Sequence, residues 1–409
     1  MTRKQIAERW KRLELALPQG NCNKEEIISS LKSLYSLYDP SMLGWLGGLF
    51  DREIGGFYYS NSARDDENFF PDIESTGQAI GILENTGVIN SYQDIPELVR
   101  TAIAYYICSC EDRESGYFYN PQWSKEEINT IKLSRRARDL RWALDLAQIC
   151  NFEIPHPTFF MKINDKTDNG VPDFLKSEKK FKEYLASKNW EEKIYKSMHG
   201  LVSQVDQIVA AGLGDIALAH LESLQDKNTG LFGEGYVEEE YKTKVLKGAI
   251  SFFVFMKRPI PMYEKVFDYA IKRVCTEKVE DISSLSSSWG TVSLVIRSLT
   301  EYGGESGRKE SLRLTAKYAD KFSELILRTA EKLQKFKKPD GSFSYTEFSS
   351  STTSQTMPVA KENSYEGDVN ATMLAITLPR TILRILTQQK IFIPLFAFDD
   401  FDMFIKNIK

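Results

Sequence analysis

Asp51-Arg-Glu-Ile-Gly-Gly-Phe-Tyr58 returns as Asp112-Arg-Glu-Ser-Gly-Tyr-Phe-Tyr119, as Asp226-Lys-Asn-Thr-Gly-Leu-Phe-Gly233 and, more weakly, as Lys337-Lys-Pro-Asp-Gly-Ser-Phe-Ser344. Each copy is a polar stretch followed by Gly-x-Phe. The copies are spaced by one or two periods of about 57 residues, room for two helices of about 15–20 residues and their connections. Faint further copies fall near Asp168-Asn169-Gly170 and Trp289-Gly290. The glycine supplies the positive φ that a chain reversal between helices needs, and the phenylalanine two residues on folds back over the helix ends.

The intervening sequence has helical periodicity. Leu98, Val99, Ala102, Ile103 and Tyr106 follow a 3,4 spacing, and Arg136–Cys150, Leu201–Leu224, Tyr241–Met256, Leu312–Leu333 and Val369–Leu386 read the same way. Gly87, Pro155-His-Pro157, Pro259-Ile-Pro261 and Gly303-Gly304 punctuate them. The expectation is an all-α chain of repeated helical hairpins forming a single domain over 1–409, with 1–40 as a helical lead-in. No alternating strand pattern stands out, and Phe57-Tyr-Tyr59 predicts at most a short extended segment. The serine runs Ser283–Ser288 and Ser349–Ser354 have loop composition. The second, extending to Asn363, reads as a surface loop or a lid.

Helical hairpins joined through Gly-x-Phe turns resemble the α/α toroids of terpenoid cyclases, protein prenyltransferases, six-hairpin glycosidases, polysaccharide lyases and sugar epimerases. The resemblance implies about six hairpins closed around a central cavity. Trp45-Leu-Gly-Gly-Leu-Phe-Asp-Arg-Glu-Ile-Gly-Gly-Phe-Tyr58 looks like the opening of N-acylglucosamine 2-epimerases and cellobiose epimerases, over about one hairpin. Those enzymes use catalytic histidines, one of them late in the chain; here the histidines are His156, His199 and His220. Asp72-Ile-Glu-Ser-Thr-Gly-Gln-Ala79 and Asp368-Val-Asn-Ala-Thr-Met-Leu-Ala375 resemble the Asp-x-Asp-Asp-Thr-Ala helix start of class II terpenoid cyclases, whose middle carboxyl is a proton donor. Glu74 stands at that position in the first copy and Asn370 in the second.

Read as residues, Asp72 and Glu74 suit a helix N-terminus, where a cap and a first-turn acid are both favourable. At the mouth of a toroid cavity they also suit acid–base work, with Glu366 and Asp368 supplied from the other end of the chain. Carboxylates on two sides of a sugar are what glycoside hydrolysis requires. Arg64 reads as a clamp for an anionic group or as half of a surface ion pair. The repeat offset places Arg135 where Glu74 stands, with Arg138 on the same face one turn later. Tyr58, Tyr59, Tyr119, Trp123, Trp289 and Tyr345 follow or flank the turns, as sugar-stacking platforms or as core.

The composition narrows the class. Of 409 residues, 42% are hydrophobic and 27% charged, with a net charge of −4. That supports a packed core and excludes a basic nucleic-acid footprint. The basic cluster Lys176–Lys182 is broken by Ser177, Glu178 and Phe181 and reads as solvated surface. The charged start predicts no secretory signal, no run suggests a membrane span, and five cysteines without framework spacing suit free thiols in the cytoplasm. Three scattered histidines predict no metal site, and no phosphate loop or dinucleotide fingerprint predicts a cofactor. The leading expectation is a carbohydrate-active enzyme, glycosidase- or lyase-like, acting on a small saccharide. The alternatives are a terpenoid-cyclase-like enzyme with Glu74 as proton donor and a non-catalytic binding toroid.

Overall fold

A computed structural model describes residues 1–17, 23–123, 133–164, 170–233, 235, 237–276, 279 and 281–408. The protein is mostly helical, at 62%, and among the described residues the strands are two-residue arms of small hairpins. Asp168 and Asn169, in one of the faint repeat copies, lie outside the described residues.

Each of the four clear Gly-x-Phe copies is a minute antiparallel hairpin. Phe50 pairs with Phe57 and Glu111 with Phe118. Single bridges join Gln225 to Phe232 and Lys337 to Phe343 in the later copies. Gly55, Gly116, Gly230 and Gly341 take φ of 91°, 72°, 77° and 85°, the left-handed region where a Cβ is costly. The aspartate before each glycine holds the turn: Asp51 Oδ1 accepts from the backbone of Glu53 and Ile54, and Asp226 Oδ1 from Asn228 and Thr229. All four phenylalanines are buried. The reversal predicted from sequence is therefore made by strand pairing that the sequence does not advertise. Two residues per arm are too few to show an alternation.

Each hairpin joins one helix to a longer one: Ser41–Gly48 to Ile73–Thr86, Glu97–Ser109 to Leu133–Cys150, Gly214–Leu224 to Glu239–Phe255, and Phe322–Phe336 to Val369–Thr387. The long helices pack in succession. Ile73–Thr86 lies on Leu133–Cys150, that on Ile194–Val202, and then follow Glu239–Phe255, Ile282–Tyr302 and Val369–Thr387. Val369–Thr387 packs in turn on Ile73–Thr86. Glycines on these helices make room for large neighbours: a Cβ on Gly77 would come within 2.3 Å of the Trp142 ring.

Three of the six begin on an aspartate N-cap. Asp72, Asp281 and Asp368 accept from the backbone of Ser75, Ser284 and Ala371. The threonines that complete the two terpenoid-cyclase-like starts have a structural task. Thr76 Oγ1 accepts from Phe57 N and Thr372 Oγ1 from Phe343 N, both at 3.0 Å. These starts thus stitch each helix to its own hairpin.

Several expectations are corrected. Ser283–Ser288 is a helical first turn, buried apart from Ser283, because Asp281 caps it and its small side chains fit between neighbouring helices. Trp289-Gly290 lies inside that helix and is no turn. Leu201–Leu224 breaks into Ile194–Val202, Val205–Ala210 and Gly214–Leu224, with Gly212 at φ 75°. Leu312–Leu333 divides between Gly304–Lys317 and Phe322–Phe336. Within the N-terminal helical lead-in, Lys24–Tyr35 packs on Phe322–Phe336, and Tyr38 donates to the Ala375 carbonyl at 2.7 Å. Val369–Thr387 is long and apolar enough to cross a membrane by length and composition, but most of it is buried inside the fold.

The hairpin geometry predicts a contrast between two glycines. Gly55→Ala combines left-handed strain with a Cβ 2.1 Å from the Ala102 carbonyl oxygen, whereas Gly212 has open space around it. Denaturant midpoints should show Gly55→Ala losing more than about 3 kcal/mol and Gly212→Ala about 1–2 kcal/mol.

Candidate functional site

The charged centre is built at the starts of two neighbouring helices. Arg135, with no exposed surface, enters from Leu133–Cys150. Its Nη2 lies 2.8 Å from Asp72 Oδ1, its Nε 2.9 Å from Asp139 Oδ2, and its Nη1 3.5 Å from Glu74 Oε2. The Trp123 ring lies against the guanidinium, 4.8 Å from its centroid. Arg138, three residues on, pairs with Glu74 Oε1. Gln78 Nε2 donates to the same oxygen and to Asn370 Oδ1, each at 3.2 Å. Ser354 Oγ donates to Glu74 Oε2 at 3.0 Å.

This geometry sorts the protons. Burial pushes Glu74 upward, but Arg138 and Arg135 outweigh it and hold the carboxyl below its ordinary value. Burial pushes Asp139 up to about 7, with Asp72 and Glu74 adding to the rise and Arg135 opposing it. Two guanidiniums thus face the ionised carboxylate of Glu74 and one carboxyl, Asp139, that keeps its proton to near neutrality. Burial and then Arg138 push His199 down to about 4, so its imidazole is neutral at pH 7.

A chamber of about 320 Å³ opens between Leu133–Cys150, Ile194–Val202 and Glu239–Phe255, lined in part by Arg138, Trp142, Tyr195, His199 and Lys244. Its volume is at the small end of ligand sites, which run about 300–1,000 Å³. Lys244 is paired with Asp281 at 2.6 Å and lies near the rings of Tyr241 and Tyr345. A hairpin with arms Thr353–Ser354 and Met357–Pro358 reaches this centre. Ser354 bonds Glu74, and Gln355 Nε2 lies 3.3 Å from His199 Nε2. Gln355 and Thr356, at the tip, take φ of 51° and 69°. The serine-rich segment is therefore an ordered contact of the centre. A more open depression of about 400 Å³ sits at the opposite helix ends, where Arg384 and Glu301 are already paired at 2.7 Å.

The remaining sequence candidates divide. Glu74 and Arg138 come together, and Tyr345 lies beside Lys244. Asp72 is taken up by capping and by Arg135. Asp368 is buried under Ser351 N at 3.3 Å and the Tyr59 hydroxyl, and burial pushes it up to about 7. Burial, then Asp368, push the Tyr59 hydroxyl well above its ordinary value. Glu366 accepts from Ser62 N at 2.8 Å and from the Ser62 hydroxyl. Arg64 makes a two-pronged pair with its neighbour Asp65, the surface reading. Tyr58 donates to Asp51 at 3.0 Å and belongs to its hairpin, and half-buried Tyr119 ends the second hairpin, its N–H donating to the Cys110 carbonyl. Trp289 is core: it is fully buried and donates to Thr329 Oγ1 at 2.9 Å.

The sequence reading passed over His199, Tyr195, Trp142 and Lys244. One signal was available: Lys244, Lys247, Gly248 and Ser251 form a polar and small stripe at 3,4 spacing along an otherwise apolar helix. Comparison with protein-family models, curated proteins and solved structures gives no match.

Asp368 gives a pH test. A carboxyl whose folded pKa is raised favours the protonated folded state, so its contribution is present below the unfolded value near 4 and is lost as pH rises toward about 7. Urea midpoints across pH 4 to 8 should show Asp368→Asn gaining on the wild-type protein up to about pH 7 and holding a constant lead above it.

Proposed function

We propose that the six successive helices form the inner wall of an α/α toroid, and that its chamber takes a small saccharide and acts on it by acid–base chemistry, as a glycosidase- or lyase-like enzyme. The succession of packing, in which Val369–Thr387 lies against Ile73–Thr86, supports the toroid. The observation that carries the function is the chamber's chemistry. Arg138 and a neutral imidazole, His199, line it beside the aromatic walls of Trp142 and Tyr195, and the ionised carboxylate of Glu74 is buried behind Arg138 as its partner. Such a set stacks on a sugar face, hydrogen-bonds hydroxyls and accepts a proton.

The roles differ from a simple carboxyl pair. Glu74 balances positive charge or accepts a proton; two guanidiniums keep it from donating one at neutral pH. Asp368 has the pKa of a donor, about 7, but is fully buried beneath Ser351 and does not line the chamber, so it lies outside that chemistry. Proton donation by Glu74 to an alkene, as in a terpenoid cyclase, is opposed both by its depressed pKa and by the charged lining.

A thermal-shift screen of mono- and disaccharides, followed by mass spectrometry for products, tests the reading. A bound saccharide should raise the melting temperature, and Glu74→Gln should cut turnover at least about 100-fold while retaining binding. Full turnover by Glu74→Gln contradicts the assignment; binding without turnover by the wild-type protein supports the non-catalytic toroid.

A further inference from the structure

The segment between the last Gly-x-Phe turn and Val369–Thr387 carries the hairpin with arms Thr353–Ser354 and Met357–Pro358. Its base is anchored. Val359 N donates to the Thr352 carbonyl at 2.9 Å and Gln122 Nε2 to the Pro358 carbonyl at 2.7 Å, while Met357, Val359 and Ala360 are buried. Its tip is held by smaller means. Thr353 and Thr356 are exposed. Ser354 Oγ donates to Glu74 Oε2 at 3.0 Å, and Gln355 Nε2 lies 3.3 Å from His199 Nε2. Because that imidazole is neutral at pH 7, the amide N–H donates and the ring lone pair accepts.

Both contacts cover atoms that the proposed chemistry needs. His199 lines the chamber, and Glu74, 3% exposed, stands behind Arg138, which also lines it. A hydroxyl on a carboxylate and a donor on an imidazole nitrogen are the bonds a sugar's hydroxyls would make to the same atoms. The tip is also under strain. Gln355 and Thr356 take φ of 51° and 69°, the left-handed pair that two-residue hairpins usually give to Asn-Gly, and a β-branched residue is an outlier there. Gln355 Oε1 is buried without a hydrogen-bond partner, so the closed contact leaves an acceptor unsatisfied. A strained, partly satisfied tip gives way more readily than its anchored base. We infer that the tip, Thr353–Thr356, is an autoinhibitory strap. Ser354 and Gln355 occupy Glu74 and His199 in the free protein, and both groups become available to a ligand when the tip lifts. As a device serving a saccharide, the strap rests on the function proposed above.

Two measurements on the full-length protein test this without any ligand: acylation by diethyl pyrocarbonate, which attacks a free neutral imidazole nitrogen, and amide hydrogen exchange, both read by peptide mass spectrometry. In the double variant Ser354→Ala, Gln355→Ala, His199 should react at least about tenfold faster than in wild type, with His156 and His220 unchanged, and exchange across residues 352–359 should rise with it. Val369–Thr387 should stay protected; if it does not, Gln355→Ala alone decides by the same readouts. Faster labelling of His199 with unchanged exchange means that Gln355 only screens the ring, and overturns the strap. Unchanged labelling of His199 overturns it as well. A saccharide found by the thermal-shift screen should bind the double variant at least about fivefold more tightly than wild type, because no contact has to be broken first. Weaker binding to the double variant overturns the strap and makes Ser354 and Gln355 contacts of the ligand. If no saccharide binds, the proposed substrate falls, and labelling and exchange still decide the strap.

Discussion

A guanidinium with no exposed surface ties the start of one helix to the start of the next. Arg135 reaches from Leu133–Cys150 to Asp72, the N-cap of Ile73–Thr86, and to Asp139 on its own helix. Removing such a charge from water costs several kcal/mol, and the surrounding carboxyl groups offset it only because the geometry is close. The consequences run outward. Arg135 helps keep Glu74 ionised, Glu74 then holds Arg138, and Asp139 is left as the member that retains a proton. The electrostatics of the chamber thus follow from one buried residue that does not itself line it.

The repeats supply the frame for that interaction. A glycine at positive φ closes each hairpin, a phenylalanine seals it, and a threonine one turn into the following helix accepts the hairpin's backbone N–H in two of the copies. Because the same device sets the starts of Ile73–Thr86 and Val369–Thr387, Glu74 and Asn370 occupy matching places and share Gln78. The segment inserted between the last hairpin and Val369–Thr387 carries Ser354 and Gln355 onto Glu74 and His199. A longer connection in one repeat therefore becomes a contact of the centre.

Much of this frame was readable in the sequence, for physical reasons. Helical periodicity, Gly-x-Phe and the aspartate caps are local signals, and the structure has helices and reversals at most of the places they indicate. The errors arise where tertiary packing decides. Ser283–Ser288 has the composition of a loop but the burial of an inward-facing helix. Trp289 lies beside a glycine as the turn aromatics do, yet bonds Thr329 in the core. Of the site, Glu74 and Arg138 were legible because the repeat offset aligns Glu74 with Arg135, and Arg138 shares the face of Arg135 one turn on. Lys244 and His199 were not, since a lone lysine in an apolar run and a lone histidine say nothing until the facing helix is known. The burial of Asp368 against the Tyr59 hydroxyl joins positions more than three hundred apart, which no local pattern reveals.

The measurement that bears most directly on this account is a crystal structure grown in a mixture of neutral sugars, sugar acids and sugar phosphates. The account predicts density for a sugar stacked against Trp142 and Tyr195, with its hydroxyls or acidic group within hydrogen-bond distance of Arg138 and His199. A chamber filled by its own side chains, or one holding only water, would contradict it.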